Sequence, residues 1–167
     1  MILFHGSNAE VSDIDLLKCG KYKDFGQGFY LTSLKQQALD WAMKITKRFG
    51  AGKAAINVYE FDDNLNDLNH IIFTEPNEEW AAFVINNRNR DFTDHNDKLS
   101  NHDNKYDFVH GLVANDDISA ILETFLLGIL PMSELSKALI YKELNDQYSF
   151  HSNKALSHLK FIRGEVL

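Results

Sequence analysis

The chain contains one cysteine, Cys19, among 167 residues. A single thiol cannot close an internal disulfide, so a stapled secreted framework is excluded and a reducing, cytoplasmic setting is expected. With one cysteine a structural zinc site is not expected. The seven histidines show no metal-ligand spacing either, so no metal is expected. Only two prolines occur, Pro76 and Pro131, and no internal repeat is visible. Long apolar runs are missing: the greasiest stretch, AILETFLLGIL, is short and holds Glu123, so it cannot span a bilayer. The opening MILFHGSN has neither the basic region nor the apolar run of a signal peptide. Positive charge is also scarce. Lys and Arg total 17 against 24 Asp and Glu, a net charge of −7. That balance opposes a broad grip on a nucleic-acid backbone and favours protein partners.

What remains is an ordinary globular composition, 44% hydrophobic and 25% charged. The length suits a single domain over residues 1–167 with a sizeable core. ILF reads as a strand ending at His5, and GFYLT as a second strand. Ser33 then opens a helix. SLKQ has the form of a capping box, with Ser33 as cap and Gln36 reaching back. Leu34, Ala38, Trp41, Ala42 and Ile45 share one helical face, and Gly50 stops the run. AAINVYEF is a strand, and its alternation of Ile56, Val58 and Glu60 with Asn57, Tyr59 and Phe61 implies that both faces are partly covered. TEPNEEWAAFVINNR is a helix capped by Thr74. Residues 87–105 are polar and read as a long loop. YDFVHGLVA is a strand, DDISAILETFLLGI and SELSKALIYKEL are helices, and QYSFH, SNKALSHL and KFIRGEV close the chain as strand, helix and strand. Strands and helices alternate without a βαβ rhythm, so the expected class is α+β with a mostly antiparallel sheet in two parts.

Two stretches carry candidate chemistry. In DFGQGFYLTS, Gly26 and Gly28 stand just before Phe29 and Tyr30. Alone, this is equally a tight turn with Tyr30 in the core. It lies before the strand, not between strand and helix, so it is not a dinucleotide fingerprint. In LFHGS, His5 ends a strand and Gly6 leaves an open backbone beside it; a hydrogen-bonded strand-end histidine fits equally well. Asp116 and Asp117 stand before an apolar helix, where acids cap favourably.

Together these pieces resemble the NAD-binding core of ADP-ribosyltransferases of the His-Tyr-Glu class, which includes the poly(ADP-ribose) polymerases and diphtheria-toxin-like enzymes. The match is closer to small bacterial and phage proteins of that kind, through HGS, DFGQGFYLT, QALDWA, YDFVHGLVANDD and QYSFHSNKAL. It runs through nearly the whole chain, and its motifs are specific jointly but weak singly. The resemblance implies the ADP-ribosyltransferase fold, with a two-part sheet forming an NAD cleft flanked by helices. It implies a mono-ADP-ribosyltransferase that breaks the nicotinamide–ribose bond of NAD, its co-substrate, and passes ADP-ribose to a macromolecule, for which the acidic charge favours a protein. It also implies a toxin-type or phage–host conflict role, with an antitoxin or defence protein as partner.

Residue by residue, the resemblance assigns catalytic positions to His5, Tyr30 and Gln147. NAD-binding positions fall on Gly6, Ser7, Lys23, Gly26, Gly28, Phe29 and Trp41. Tyr30 and Trp41, eleven residues apart, would form the aromatic slot for the nicotinamide. Gly6 would meet its carboxamide through the backbone, His5 a ribose hydroxyl, and Lys23 or Lys21 the diphosphate. Asp116 and Asp117 are candidates for contact with the acceptor. Gln147 stands where the wider class has Glu. An amide can hydrogen-bond a ribose hydroxyl but cannot act as a base, and Asp146 and Glu143 are nearby acids that could replace it. The alternative is a module that keeps the fold and binds nucleotide or protein without catalysis.

Overall fold

The computed structural model describes residues 1–92, 99–113, 116–131, 134 and 145–167, with the side chains of 116–119 and 126 outside that description. In chain order it runs β1 (Ile2–Ser7), a 3-10 turn (Leu16–Lys18), β2 (Phe29–Leu31), α1 (Lys35–Phe49), β3 (Ala55–Phe61), β4 (His70–Ile72), α2 (Glu78–Arg88), β5 (Phe108–Leu112), α3 (Asp116–Leu126), β6 (Asp146–Phe150), α4 (Asn153–Leu156) and β7 (Leu159–Val166). The helix expected over 133–144 lies outside the described residues, apart from Glu134.

The fold is α+β, as the mixed pattern predicts. Its strands form two sheets, β1-β3-β7 and β2-β6-β5-β4, antiparallel except for the β4–β5 pair. Alternation along each strand divides the core. Leu3, Tyr59 and Phe61 from the first sheet meet Phe29, Leu31, Phe108 and Phe150 from the second. The opposite face of the second sheet carries Val109 and packs on Phe25, Phe73, Trp80, Phe83 and Leu122. On the first sheet, α1 lies over Phe4, Ile56 and Val58 through Ala38.

Three expectations need correction. Ser33 does not cap α1. The first helical residue is Lys35, the cap position is Leu34 without a side-chain bond, and Ser33 donates from both N and Oγ to Asp146 of β6. A buried-edge carboxylate out-competes the local cap because it accepts two bonds from Ser33 and a third from Thr32 Oγ1. The apolar face of α1 is also narrower than its periodicity suggests. Ala38 and Ala42 are buried, whereas Leu34 and Trp41 are more than 40% exposed. The reason is Gly6: a Cβ there would overlap Ala38 O and lie 2.9 Å from Ala42 N, so the helix sits directly on the strand and its larger side chains point outward. Gly50 does stop the helix, in a left-handed conformation (φ 64°) with its N–H on Thr46 O.

The third correction concerns caps and loops. Asn77, not Thr74, caps α2, accepting from Trp80 N at 2.9 Å. The polar run after it is not simply solvated surface, because Asn87, Ser100 and Asn101 are fully buried. Asn101 takes Tyr106 N on its Oδ1, donates to Tyr106 O and Phe25 O, and gives its own N–H to Asn87 Oδ1. Buried amides are retained where they satisfy several main-chain groups at once.

Candidate functional site

The two sheets meet where β1 and β2 touch. The contact is one antiparallel bridge, Phe4–Thr32, with N–H···O distances of 2.8 and 2.9 Å. Beyond it the strands part. Antiparallel strands turn alternate peptide groups to opposite sides. Met1 exchanges both its bonds with Phe61, so Leu3, His5 and Ser7 also face β3. Phe4 faces β2, and so does Gly6. A continued ladder would join Gly6 to Tyr30. Instead the Tyr30 carbonyl is taken by the imidazole of His5, Nδ1 to O at 2.8 Å. The N–H and C=O of Gly6 are left facing the split with no hydrogen bond among the described residues.

His5 is held there by sequence-local and distant parts. Its ring lies 4.3 Å from that of Phe29, centroid to centroid. Its own carbonyl is approached by Asn57 Nδ2, and Asn57, fully buried in β3, also binds Ala9 O and Val11 N and so fixes the chain leaving β1. Burial lowers the His5 pKa, only partly offset by the Tyr30 bond, so the ring is neutral at pH 7. A carbonyl can only accept, so Nδ1 carries the proton and Nε2 is a bare acceptor. Asn57 was not foreseen; the sign of it is a lone amide among the apolar residues that open the strand, between Ile56 and Val58.

Tyr30 is tied into its own loop. Its hydroxyl donates to Gly26 O at 2.6 Å and accepts from Phe25 N at 3.1 Å, and burial drives its pKa well above the usual phenol range. Gly26 turns the loop in the left-handed region, φ 94°. Gly28 serves close approach: a Cβ there would stand 2.5 Å from His151 Nδ1 and 2.8 Å from Phe150 O. Asp24 anchors the loop to α2 by accepting Arg88 Nε and Nη2 at 2.9 and 2.8 Å.

Gln147 joins Tyr30 through the sheet. Tyr30 pairs with Ser149, so Gln147, two residues back, takes the next position on the same face, opposite Gly111. Its Oε1 is buried and has no hydrogen-bond partner. An unpaired buried amide oxygen costs roughly 1–3 kcal/mol, which marks the position as unsatisfied in the free protein. Asp146, the neighbouring acid, faces the other way and is spent on Thr32 and Ser33. Glu143 lies outside the described residues.

The structure thus brings His5, Gly6, Tyr30 and Gln147 to one strand crossing. Trp41 stands on the turn of α1 that Gly6 abuts, 41% exposed, with Lys23 Nζ 5.8 Å and Lys44 Nζ 5.6 Å from its ring centroid. Its ring does not touch that of Tyr30, whose ring neighbours are Phe25 at 6.4 Å and His151 at 6.1 Å. Ser7 ends β1, two residues beyond His5 on the same face, and Phe29 is buried against Tyr59. Asp116 and Asp117 begin α3, with side chains outside the description. Among the described residues no cluster of His, Cys, Asp and Glu could hold a metal ion, and no helix is long and apolar enough to cross a membrane. Two surface cavities, of about 270 and 450 Å³, are lined by Tyr59 and Phe161 and by Glu60 and His158, and neither includes a residue of the strand crossing.

No curated protein matches the chain. A family model does, over residues 1–161, and the chain belongs to that family, described as "Protein of unknown function (DUF3990)".

Proposed function

We propose that the strand crossing binds NAD and that the protein is a mono-ADP-ribosyltransferase of the ADP-ribosyltransferase fold. The observation that carries this reading is the split at β1 and β2. It leaves one peptide donor and one acceptor on Gly6, beside the bare Nε2 of a neutral His5. A carboxamide offers the complementary pair, an acceptor oxygen and a donor NH₂, in one plane. Gly6 takes the carboxamide and His5 Nε2 accepts a ribose hydroxyl. Trp41 offers an aromatic face to the flat pyridinium, where the Lys23 ammonium now rests, and Lys23 moves to the diphosphate. Gln147 Oε1 accepts the hydroxyl next to the reacting carbon, which satisfies its unpaired oxygen.

The step breaks the bond between ribose C1″ and the nicotinamide nitrogen. The electron pair leaves with nicotinamide, which departs neutral. A nucleophile of the acceptor forms the new bond to C1″, and any proton it carried passes to water. Gln147 stabilises the developing cation by a dipole only, and it takes no proton. The acceptor therefore arrives already nucleophilic, and chain elongation is not expected. The same reading extends to a toxin-type or host-conflict role with an antitoxin or defence protein, which rests on the motif resemblance alone.

The test is incubation of the purified protein with NAD and a cell lysate, following free nicotinamide by chromatography and the label of adenylate-labelled NAD in macromolecules. His5→Ala should abolish both signals. Retention of both in that variant would end the reading. The neutral Gln147 supports one second reading, a module that binds NAD without cleaving it. Saturable NAD binding with no nicotinamide release would select it.

A further inference from the structure

Charge on this acidic protein is not evenly spread. Residues 17–53 hold eight Lys and Arg (18, 21, 23, 35, 44, 47, 48 and 53) against two acids, Asp24 and Asp40, a net of +6; the whole chain is −7, so the remainder carries −13. Asp24 is already paired with Arg88, which removes one of the two acids from the local field. Lys18 and Lys35 are paired with Asp15 and Glu165. Lys23, Arg48 and Arg90 have no ion pair among the described residues.

The cations of this region are assembled, not scattered. On α1, Trp41, Lys44 and Arg48 recur at i, i+3 and i+7 and so form one outward stripe. Lys23 and Lys44 both reach the Trp41 ring, which joins the 20–24 loop to that stripe. Tyr22, the residue before Lys23, is 39% exposed and carries the Arg90 guanidinium 5.4 Å from its ring centroid. Tyr22 also holds a left-handed backbone, φ 57°, unusual for a residue with a side chain. That turn is where Tyr22 meets Arg90 and Lys23 meets Trp41. The surface is therefore cationic with two exposed aromatic faces set into it, and its edge is the proposed NAD cleft.

We infer that this surface, formed by Tyr22, Lys44, Arg48 and Arg90 with Lys23 and Trp41 at its border on the cleft, docks a single-stranded nucleic acid as the acceptor of ADP-ribose. The inference rests on the NAD reading above for the transfer, but not for the docking. Phosphates match the cations, and unpaired bases stack on exposed aromatic rings. An acidic peptide would meet the cations and leave both rings uncovered. A duplex keeps its base faces stacked and cannot use them. The net charge of −7 opposes backbone binding only when averaged over the molecule; within about a Debye length, roughly 8–10 Å at moderate salt, a strand on α1 feels mainly the local field. The nucleophile is then a lone pair on a base or a terminal phosphate oxygen, which becomes bonded to C1″ as nicotinamide leaves. Neither needs Gln147 to remove a proton first.

The docking is tested without NAD, by fluorescence anisotropy of labelled 12-nucleotide single-stranded DNA and RNA over a salt series. Binding should weaken linearly on a log–log plot. The double variant Lys44→Glu/Arg48→Glu should weaken it at least tenfold and reduce the slope by about 1.4, at about 0.7 per phosphate contact on a single strand. Tyr22→Ala should weaken it with the slope unchanged, since stacking displaces no counterions. Nicotinamide release from NAD into water is measured separately and should be equal in wild type and the double variant. Failure of both oligonucleotides to bind overturns the inference, as does binding indifferent to the double variant. Equal affinity for a poly-glutamate peptide of the same charge, equally sensitive to that variant, also overturns it and assigns the surface to an acidic protein. Oligonucleotide binding without any nicotinamide release sinks the transferase reading and leaves the docking surface standing. Release without oligonucleotide binding does the reverse.

Discussion

His5 in β1 and His151 just beyond β6 make the same first bond. Each sets Nδ1 on a main-chain carbonyl at 2.8 Å, Tyr30 for one and Gln27 for the other. Burial lowers the pKa of both, that of His151 to about 4, so both rings are neutral at pH 7. They differ at the second nitrogen. His151 Nε2 lies 2.9 Å from Ser149 Oγ, inside a seam closed by Gly28 and the 25–30 loop. His5 Nε2 has no partner among the described residues and lies where two strands separate. A histidine with both nitrogens occupied is a structural pin. One with a tautomer fixed on one side and a bare acceptor on the other is equipped to hold a ligand. The comparison also separates Ser149 from catalysis: it is buried with His151, and its hydroxyl is within bonding distance of Val109 O as well.

The largest effect expected is on the closed seam. Gly28→Ala inserts a Cβ against His151 and Phe150 O, and the backbone carbonyl cannot swing aside. Overpacking of this kind, with loss of a buried histidine bond, should cost about 4 kcal/mol. At about 2–4 °C per kcal/mol for a chain of this size, thermal unfolding should fall by about 10 °C or more. An unchanged melting temperature would show that the seam is loose and that the two histidines are not different in kind.

Acid should act next, and on the same seam. The folded state holds His151 neutral down to about pH 4, while the unfolded chain protonates it near 6.5. Between those values the unfolded state binds the extra proton, so stability falls as pH falls. The slope should approach 1.4 kcal/mol per pH unit, about 3 kcal/mol between pH 6.5 and pH 4, with His5 adding in the same direction. Urea midpoints measured at pH 7 and pH 5 give this directly. His151→Asn should flatten most of it; a variant as acid-sensitive as the wild type would place the titrating group elsewhere.

Gln147 should show the opposite signature. Gln147→Ala removes a buried oxygen that has no partner, so urea stability should change little or rise slightly. Transfer of ADP-ribose should nonetheless fall roughly ten- to a hundred-fold, the value of one hydrogen bond of about 1–3 kcal/mol made in the transition state. Loss of stability in step with activity would make Gln147 structural, like His151. The smallest effect expected on the fold is that of Trp41→Ala. An exposed helix residue should alter stability by less than about 0.5 kcal/mol. The same change should abolish the tryptophan fluorescence response to nicotinamide, with Trp80 left as background. A response that survives would belong to Trp80, and Trp41 would not face the ligand.

Periodicity and punctuation were enough for α1, its stop at Gly50, the buried strand β3 and the α+β class, because these depend on near neighbours in the chain. The resemblance carried by HGS, GQGFY and QYSFH named His5, Gly6, Tyr30 and Gln147, which the structure gathers at one strand crossing. What no local pattern contains is competition between distant partners. Ser33 has the sequence of a helix cap, but Asp146, 113 residues away, offers it a stronger acceptor. Asn101 sits in a run that looks like solvated loop, and its burial follows from main-chain groups of Phe25 and Tyr106 that need its amide. Trp41 belongs to the apolar face by period and to the surface in fact, because Gly6 draws Ala38 and Ala42 onto the strand instead. His5 and His151 look alike as strand-end histidines. Which of them keeps an open nitrogen was decided only where β1 and β2 part, since a hydrogen bond left unmade depends on everything that could have reached it.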